Sequence, residues 1–134
     1  MKTAFLIPVF QEKAAIVKDV LTEVLSGSDA TVYLGDDGND QQAKTELTGM
    51  VAELAKKYPG RIKPDYEAEN HGQGYTLKTL TSLAYPDNDL FVTFDSDGQH
   101  RFQDAMAMLA KIKAGPEKLN VILGSRFLGH KNLS

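Results

Sequence analysis

Four apolar segments of the chain have the composition of buried β-strands. They are rich in β-branched, aromatic and aliphatic side chains without clean alternation, which is typical of strands covered on both faces of a parallel sheet. These segments are Thr3 to Val9, Thr31 to Leu34, Leu90 to Phe94 and Val121 to Leu123. Pro8 is expected at the end of the first strand, because proline cannot donate a hydrogen bond within a central ladder. Between the second and third segments, a short strand around Ile62 is a further candidate, although Pro64 counts against it.

Between the strands, apolar residues recur at the spacing of amphipathic helices. The first helix is predicted to open at Gln11 to Lys13, the second to run from Gln41 to Tyr58, and the fourth from Phe102 to Lys113. The third follows a glycine-broken loop, residues 70–74, and its predicted buried side consists of Leu77, Leu80, Leu83 and Ala84. Strands that alternate with helices predict an α/β protein, a three-layer α/β/α fold with a mostly parallel sheet.

Polar residues and glycines collect where the predicted strands end. The four segments are Pro8 to Glu12, Gly35 to Asp40, Asp95 to His100 and Gly124 to Arg126. In a parallel sheet the carboxyl ends of the strands share one edge, and open α/β sheets bind their ligands there. The sequence therefore predicts that these segments converge on a single site.

Asp95 and Asp97 are the candidate functional residues of that site. They directly follow the strand Leu90 to Phe94, and residues two apart in an extended segment point the same way. Gly98 would let the backbone turn behind them. Two carboxylates, completed by water and phosphate oxygens, are a usual way of holding a hard divalent cation against a diphosphate. The alternative is a plain turn, because Asp, Ser and Gly are common turn residues.

Composition narrows the class of protein. A chain of 134 residues is predicted to form one domain, and it contains no cysteine, which excludes disulfides and thiolate sites. A formal net charge of -3 with interspersed signs argues against general nucleic-acid binding. No apolar run reaches the roughly 20 residues of a membrane span, and residues 1–9 lack the features of a signal peptide. These features predict a soluble, cytoplasmic protein.

Five motifs occur in a characteristic order along the chain: IPVFQE, LGDDGND, NHGQGYTLKTL, FVTFDSDGQH and ILGSRFLG. This succession resembles the family 2 inverting glycosyltransferases, especially the members that look like polyprenyl-phosphate sugar synthases. The resemblance covers essentially the whole chain. It implies a Rossmann-like GT-A nucleotide-diphospho-sugar transferase fold, truncated at the carboxyl terminus, and a metal-dependent hexosyltransferase-type enzyme with a DxD motif.

The resemblance also implies roles for individual residues. Asp37 would bind the nucleotide base, with Asp36 as the alternative, and Asp95 would meet the ribose or diphosphate. Asp97, together with Asp95, would bind Mg²⁺ or Mn²⁺, and Arg126 would lie near the phosphates or the acceptor. The remaining positions that the resemblance assigns to the nucleotide and its phosphates are Pro8, Phe10, Glu12, Asn70, Gly72, Gly74 and Lys78.

The chain departs from the family pattern at two loops and at its end. Gln11 stands where asparagine is more usual, and Asn39 replaces a serine, which brings Asp40 one position early. Asp40 could equally cap the following helix. Inverting transfer needs a general base to deprotonate the acceptor, and in the family this acid follows the GSRF motif. The catalytic base is therefore unknown and expected beyond Ser134. The predicted domain, 1–134, is a nucleotide-sugar-binding unit that lacks most of the acceptor half.

The resemblance leaves the substrates open. The donor is a UDP-, GDP- or dTDP-linked sugar, and the acceptor is a polyprenyl phosphate or a glycan. A lipid acceptor implies peripheral association of the full-length protein with the inner face of the membrane. His71 and His100 are predicted to form loop hydrogen bonds rather than to ligate a metal.

Two alternative functions accompany this interpretation. One is a non-catalytic nucleotide-binding module that has lost acceptor chemistry. The other is a haloacid-dehalogenase-like phosphatase, in which Asp95 would attack phosphorus, Asp97 would act as acid and base, and Asp36 or Asp40 would help hold Mg²⁺. The order of motifs opposes the phosphatase, whose nucleophile strand precedes its metal loop.

Overall fold

A computed structural model describes residues 2–98, 101–114 and 126–130 of the chain. Helices and strands alternate along it, as the sequence predicts. The strands are β1 (Thr3–Val9), β2 (Thr31–Asp36), β3 (Ile62–Tyr66), β4 (Leu90–Thr93) and β5 (Arg126–His130). The helices are α1 (Ala14–Gly27), α2 (Gln41–Lys57), α3 (Gln73–Ala84) and α4 (Phe102–Ala114), and a 3-10 turn spans Tyr85–Asp87. The strand predicted at residues 121–123 lies outside the described residues.

The five strands form one sheet in the order β3-β2-β1-β4-β5. Neighbours among the first four strands run parallel, and β5 runs antiparallel to β4. The predicted mostly parallel sheet is therefore confirmed. The short strand around Ile62 is confirmed as well, and its position at the edge of the sheet is one where proline is tolerated, as Pro64 is here.

Helices cover both faces of the sheet, which confirms the three-layer arrangement. The larger core cluster joins β1, β2 and β4 to α1, α2 and α4, with Phe5, Leu21, Phe94 and Leu109 among its buried members. The smaller cluster lies on the opposite face, where Leu80 and Ala84 of α3 pack against Leu6 and Phe91. No helix within 2–98 and 101–114 is long and apolar enough to cross a membrane.

The structure corrects the predicted buried side of α3. Leu83 is 48% exposed, whereas Thr76 is fully buried. The helix packs so closely on β2 at Gly35 that a methyl group added to this glycine would meet Thr76 and Leu80. The buried stripe of α3 therefore runs through Thr76, Leu80 and Ala84 rather than through Leu83.

The starts of two helices also differ from the prediction. Helix α1 begins at Ala14 rather than at Gln11, because Gln11 has a φ of 55°, outside the helical region. Helix α3 begins at Gln73, so Gly74 belongs to its first turn instead of the preceding loop. Arg126 begins a strand rather than ending one, and it pairs with Thr93 at the carboxyl end of β4.

Candidate active site

A cavity of about 420 Å³ lies at the edge of the sheet where β1, β2 and β4 end. Loops from four parts of the chain contribute to its wall. The lining residues are Pro8, Phe10, Glu12, Asp37, Asn70, Gly72, Gln73, Asp95, Ser96 and Asp97. A larger hollow of about 700 Å³ opens between Lys2, Asn88 and Lys113 at the opposite edge, and none of the predicted site residues line it. Three of the four predicted strand-end segments, those that follow β1, β2 and β4, therefore converge on one cavity; Gly124 and Ser125 of the fourth lie outside the described residues.

Eight of the eleven residues predicted to bind substrate or metal line this cavity, and Gly74, in the first turn of α3, is not among them. Lys78 does not line it either, because α3 turns Thr76 and Leu80 towards the sheet and leaves Lys78 exposed. The backbone of Arg126 lies at the same edge as the cavity, opposite Thr93. Gln73 and Ser96 line the wall without having been predicted. Their positions in the sequence could have indicated this, because Ser96 lies between the two acids and Gln73 directly follows Gly72.

Asp37 is fixed on the cavity wall by the loop that precedes α3. Its Oδ2 accepts a hydrogen bond from Asn70 Nδ2 at 3.0 Å, and its Oδ1 accepts one from the backbone N–H of His71, also at 3.0 Å. Asn70 Nδ2 donates to the Asp37 carbonyl oxygen as well. The carboxylate is only 3% exposed, yet each of its oxygens keeps a lone pair for a further donor.

The turn at Gly38 brings these two loops together. Gly38 has a φ of 70°, and a methyl group added to it would lie 2.2 Å from the backbone nitrogen of Asn70 and 2.2 Å from the carbonyl carbon of Glu69. Such distances are shorter than any real contact, so only glycine fits. The absence of a side chain here is what lets Asn70 reach Asp37.

Asp36 belongs to the interior rather than to the cavity. It is fully buried, its Oδ2 pairs with Lys44 Nζ, and its Oδ1 accepts hydrogen bonds from the backbone and side-chain amides of Asn39. Lys44 Nζ also donates to the Glu67 carbonyl oxygen at 2.7 Å. This ion pair ties α2 to the ends of β2 and β3, and it leaves Asp37 as the carboxylate of the pair that faces the cavity.

The loop that departs from the family pattern has defined contacts. Asp40 caps α2, because its Oδ1 accepts a hydrogen bond from the backbone N–H of Ala43 at 2.8 Å. Asn39 is turned inward and bonds to the loop that follows β1. Its Nδ2 donates to the Val9 carbonyl oxygen at 2.9 Å, and its Oδ1 accepts from the Gln11 N–H at 2.8 Å.

Asp95, Ser96 and Asp97 form the wall opposite Asp37. Asp95 is half-buried, Ser96 is buried and Asp97 is exposed. Gly98 has the positive φ, 79°, that the predicted turn requires. Within the part of the chain that the structure describes, no cluster of three or more acids or histidines could enclose a metal. Two carboxylates beside an open cavity nevertheless fit Mg²⁺ or Mn²⁺, which take their other ligands from water and phosphate.

The rim beside Asn70 carries a histidine and a pair of acids. The ring of His71 packs on the ring of Tyr75, with 4.4 Å between the centroids, and its backbone N–H donates a hydrogen bond to Asp37. Both contacts agree with a structural role for His71 within its loop. His100 lies outside the described residues.

A hydrogen bond to Asp65 and the negative charge of that residue raise the pKa of Glu67 above its ordinary value.

The sequence profile of glycosyl transferase family 2 matches residues 4–129. No curated protein sequence matches the chain significantly. Among solved structures, the chain resembles a mannosyltransferase, PcManGT from Pyrobaculum calidifontis, in complex with GDP-Man and Mn²⁺. The TM-score is 0.65 at 20% sequence identity, over 85% of this chain and 32% of that one. It also resembles TarS from S. aureus, with a TM-score of 0.57 at 16% identity, over 84% of this chain and 20% of that one.

At these identities the two structures establish the fold alone, which is the GT-A-like α/β fold. The chain spans about a third of PcManGT and a fifth of TarS. The family profile, by contrast, covers nearly the whole chain, including the strand ends that line the cavity. The chain therefore belongs to glycosyl transferase family 2.

Proposed function

We propose that this chain is the donor-binding domain of a metal-dependent glycosyltransferase that uses a nucleoside-diphosphate sugar. The observation that carries the proposal is the meeting of Asp37, Asp95 and Asp97 on the wall of one cavity at the carboxyl edge of the sheet. Support comes from the structurally similar mannosyltransferase PcManGT, whose structure is a complex with GDP-Man and Mn²⁺. The family match also overturns the phosphatase interpretation of Asp95 and Asp97.

The proposed contacts follow the order of the cavity wall. Asp37 would accept a hydrogen bond from the nucleotide base, held in place by Asn70, and Asp95 would meet the ribose or diphosphate. Asp97 would be the principal metal ligand, with Asp95 beside it, and Arg126 would approach the phosphates. Pro8, Phe10 and Glu12 would enclose the base and ribose, and Gly72 would lie near the base and phosphates. Lys78 has no part in this proposal, because it is exposed and does not line the cavity.

The chemistry that these residues support is departure of a diphosphate. A divalent cation at Asp97 would neutralise the negative charge that develops on the leaving group. Asp95 and the fixed carboxylate of Asp37 would hold the donor in the cavity. We further propose hexosyl transfer with inversion to an acceptor hydroxyl or a lipid phosphate, at the cytoplasmic side of a membrane.

Calorimetric titration tests this proposal directly. The chain would be titrated with UDP, GDP and dTDP, each with and without Mn²⁺, alongside Asp97→Asn. We expect one nucleotide to bind at least about tenfold more tightly with Mn²⁺, because a cation bridges carboxylate and diphosphate. In Asp97→Asn this dependence on metal should disappear. The nucleotide that binds would also identify the base of the donor.

Asp19→Asn is the matched control, because it makes the same change of charge on the exposed side of α1. It should bind as the parent chain does. Full metal dependence in Asp97→Asn would contradict the assignment of the metal ligand. Failure of the parent chain to bind any of the three nucleotides would contradict the donor-binding function itself.

A further inference from the structure

The side chain of Asn39 joins the ends of two neighbouring strands. It is 7% exposed and makes three hydrogen bonds. Its Nδ2 donates to the Val9 carbonyl oxygen, at the last residue of β1, and to Asp36 Oδ1, at the last residue of β2. Its Oδ1 accepts from the backbone N–H of Gln11 at 2.8 Å. A side-chain amide is needed for this set, because it must donate and accept at once.

Gln11 is the residue on which this contact acts. Within residues 2–98 and 101–114 it is the only non-glycine residue with a positive φ, at 55°. Left-handed backbone is unfavourable for a residue with a Cβ, and glutamine lacks the local side-chain bonding that makes asparagine and aspartate more tolerant there. The side chain of Gln11 is exposed, so packing does not hold this conformation. The N–H of Gln11 donates to Asn39, and this bond opposes a flip of the peptide between Phe10 and Gln11 that would give Gln11 a negative φ.

The backbone conformation of Gln11 affects the directions in which the side chains of its neighbours, Phe10 and Glu12, point. Phe10 and Glu12 both line the cavity, whereas Gln11 between them does not. Relaxation of Gln11 to a negative φ would rotate the peptide between Phe10 and Gln11 and change the direction of the chain between Phe10 and Glu12, and with it the placement of these two side chains on the cavity wall. The orientation of this wall therefore depends on a residue of the loop after β2.

We propose that Asn39 is a positioning residue for the nucleotide site. By holding Gln11 in the left-handed conformation, it sets Phe10 and Glu12 against the bound nucleoside diphosphate. This inference rests on the proposed function, and Asn39 itself touches no ligand. Asp36 Oδ1 also accepts a hydrogen bond from the Asn39 side chain, but Lys44 and the backbone N–H of Asn39 still hold that carboxylate when the side chain is removed.

The test compares Asn39→Ala, Gln11→Gly and the double variant with the parent chain. Glycine adopts a positive φ without a Cβ penalty, so Gln11→Gly removes the need for the contact. We expect Asn39→Ala to weaken binding of the preferred nucleotide among UDP, GDP and dTDP, with Mn²⁺ present, by roughly tenfold. Adding Gln11→Gly should restore most of this loss. If Asn39 contributed only to the stability of the fold, Gln11→Gly would not restore the nucleotide affinity that Asn39→Ala loses.

Asp40→Ala supplies the matched control. It removes the cap of α2 from the same loop and lowers stability, but it touches neither Gln11 nor the cavity. Its nucleotide affinity should equal that of the parent. If Asn39→Ala binds as tightly as Asp40→Ala, or if Gln11→Gly fails to rescue it, the positioning role is wrong.

Amide hydrogen exchange at residue 11 separates this inference from the proposed function, since it needs no ligand. In Asn39→Ala the Gln11 amide should exchange roughly tenfold faster while amides in the middle of β1 keep their protection. Unchanged exchange at Gln11 would overturn the inference even if nucleotide binds. If the parent chain binds none of the three nucleotides, the proposed function fails, and with it the claim that this contact positions a nucleotide wall.

Discussion

Asp36 and Asp37 are identical side chains at consecutive positions, but they face different surroundings. Asp36 is the last residue of β2 and turns into the interior, where Lys44 neutralises it. Asp37 lies one residue further and turns to the cavity, where a side-chain amide and a backbone N–H hold it. A buried carboxylate is stable only when it is paired or hydrogen-bonded. Asp36 finds its partner within the next helix, whereas Asp37 is held by Asn70 and His71, which are distant in the sequence.

Substitution of Gly38 and of Gly60 by alanine tests the close approach of the two loops at Gly38. Both have a positive φ, 70° and 75°, but only Gly38 has backbone atoms where a methyl group would lie. Gly60→Ala should cost about 1 kcal/mol for the left-handed conformation alone. Gly38→Ala should lower the free energy of unfolding by at least about 2 kcal/mol more, since the loop of Glu69 and Asn70 must move. Chemical denaturation of both variants measures the difference, and equal losses would refute the close approach.

At the scale of elements, α3 connects the smaller core to the cavity. Its first residue, Gln73, lines the cavity, and its third and fourth turns pack on the sheet through Leu80 and Ala84. The crossing at Gly35 and Thr76 fixes how far the helix approaches β2. The amino end of α3 is therefore held at the cavity by packing on the face of the sheet opposite to α1, α2 and α4.

The packing of α3 can be tested by replacing Leu80 and Leu83, two leucines of the same helix, separately with alanine. Leu80 is fully buried and Leu83 is 48% exposed. Leu80→Ala should lower the free energy of unfolding by about 2–5 kcal/mol, because it leaves a cavity in the smaller core. Leu83→Ala should change it by no more than about 0.5 kcal/mol. Thermal or denaturant unfolding distinguishes the two, and a comparable loss at Leu83 would mean that α3 is rotated from the orientation described.

At the scale of the whole molecule, the cavity is built by loops far apart in the sequence, around Phe10, Asp37, Asn70 and Asp95. Its acidic wall is accompanied by a second acidic pair at the edge of the sheet, Asp65 and Glu67. A hydrogen bond to Asp65 and the negative charge of that residue raise the pKa of Glu67 above its ordinary value.

This pair should make the stability of the chain depend on pH. Because the pKa of Glu67 is higher in the folded chain than its ordinary value of 4.5, its stabilising contribution is complete below pH 4.5 and is lost as pH rises through the folded pKa. Glu67→Gln, which stays neutral, should therefore gain stability relative to the parent as pH rises from 4.5 towards neutrality. The gain should be small, because Glu67 is solvent-screened.

Thermal unfolding across this pH range measures the effect, with Glu46→Gln on the exposed side of α2 as the control for charge. The curve for Glu46→Gln should run parallel to that of the parent. A parallel curve for Glu67→Gln as well would show that the proton is not shared with Asp65.

The sequence alone predicted the elements whose formation depends on local pattern. Unbroken apolar runs identified β1, β2 and β4, and helical spacing identified the four helices. The rule that parallel strands end at one edge then predicted that the segments after β1, β2 and β4 meet, and Phe10, Asp37 and Asp95 of these segments line one cavity. The elements could be predicted because burial of a strand or a helix face is encoded within a few neighbouring residues.

Only the tertiary structure decided which of two adjacent residues faces the cavity. The sequence could not separate Asp36 from Asp37, exclude Leu83 from the core, or find Asn39, although each lies in a segment that was correctly assigned. The deciding contacts join residues far apart, such as Asn39 to Val9 across 30 positions and Asp37 to Asn70 across 33. A side chain turns to the cavity or to the interior according to partners that only folding brings within hydrogen-bonding distance, and no local pattern records them.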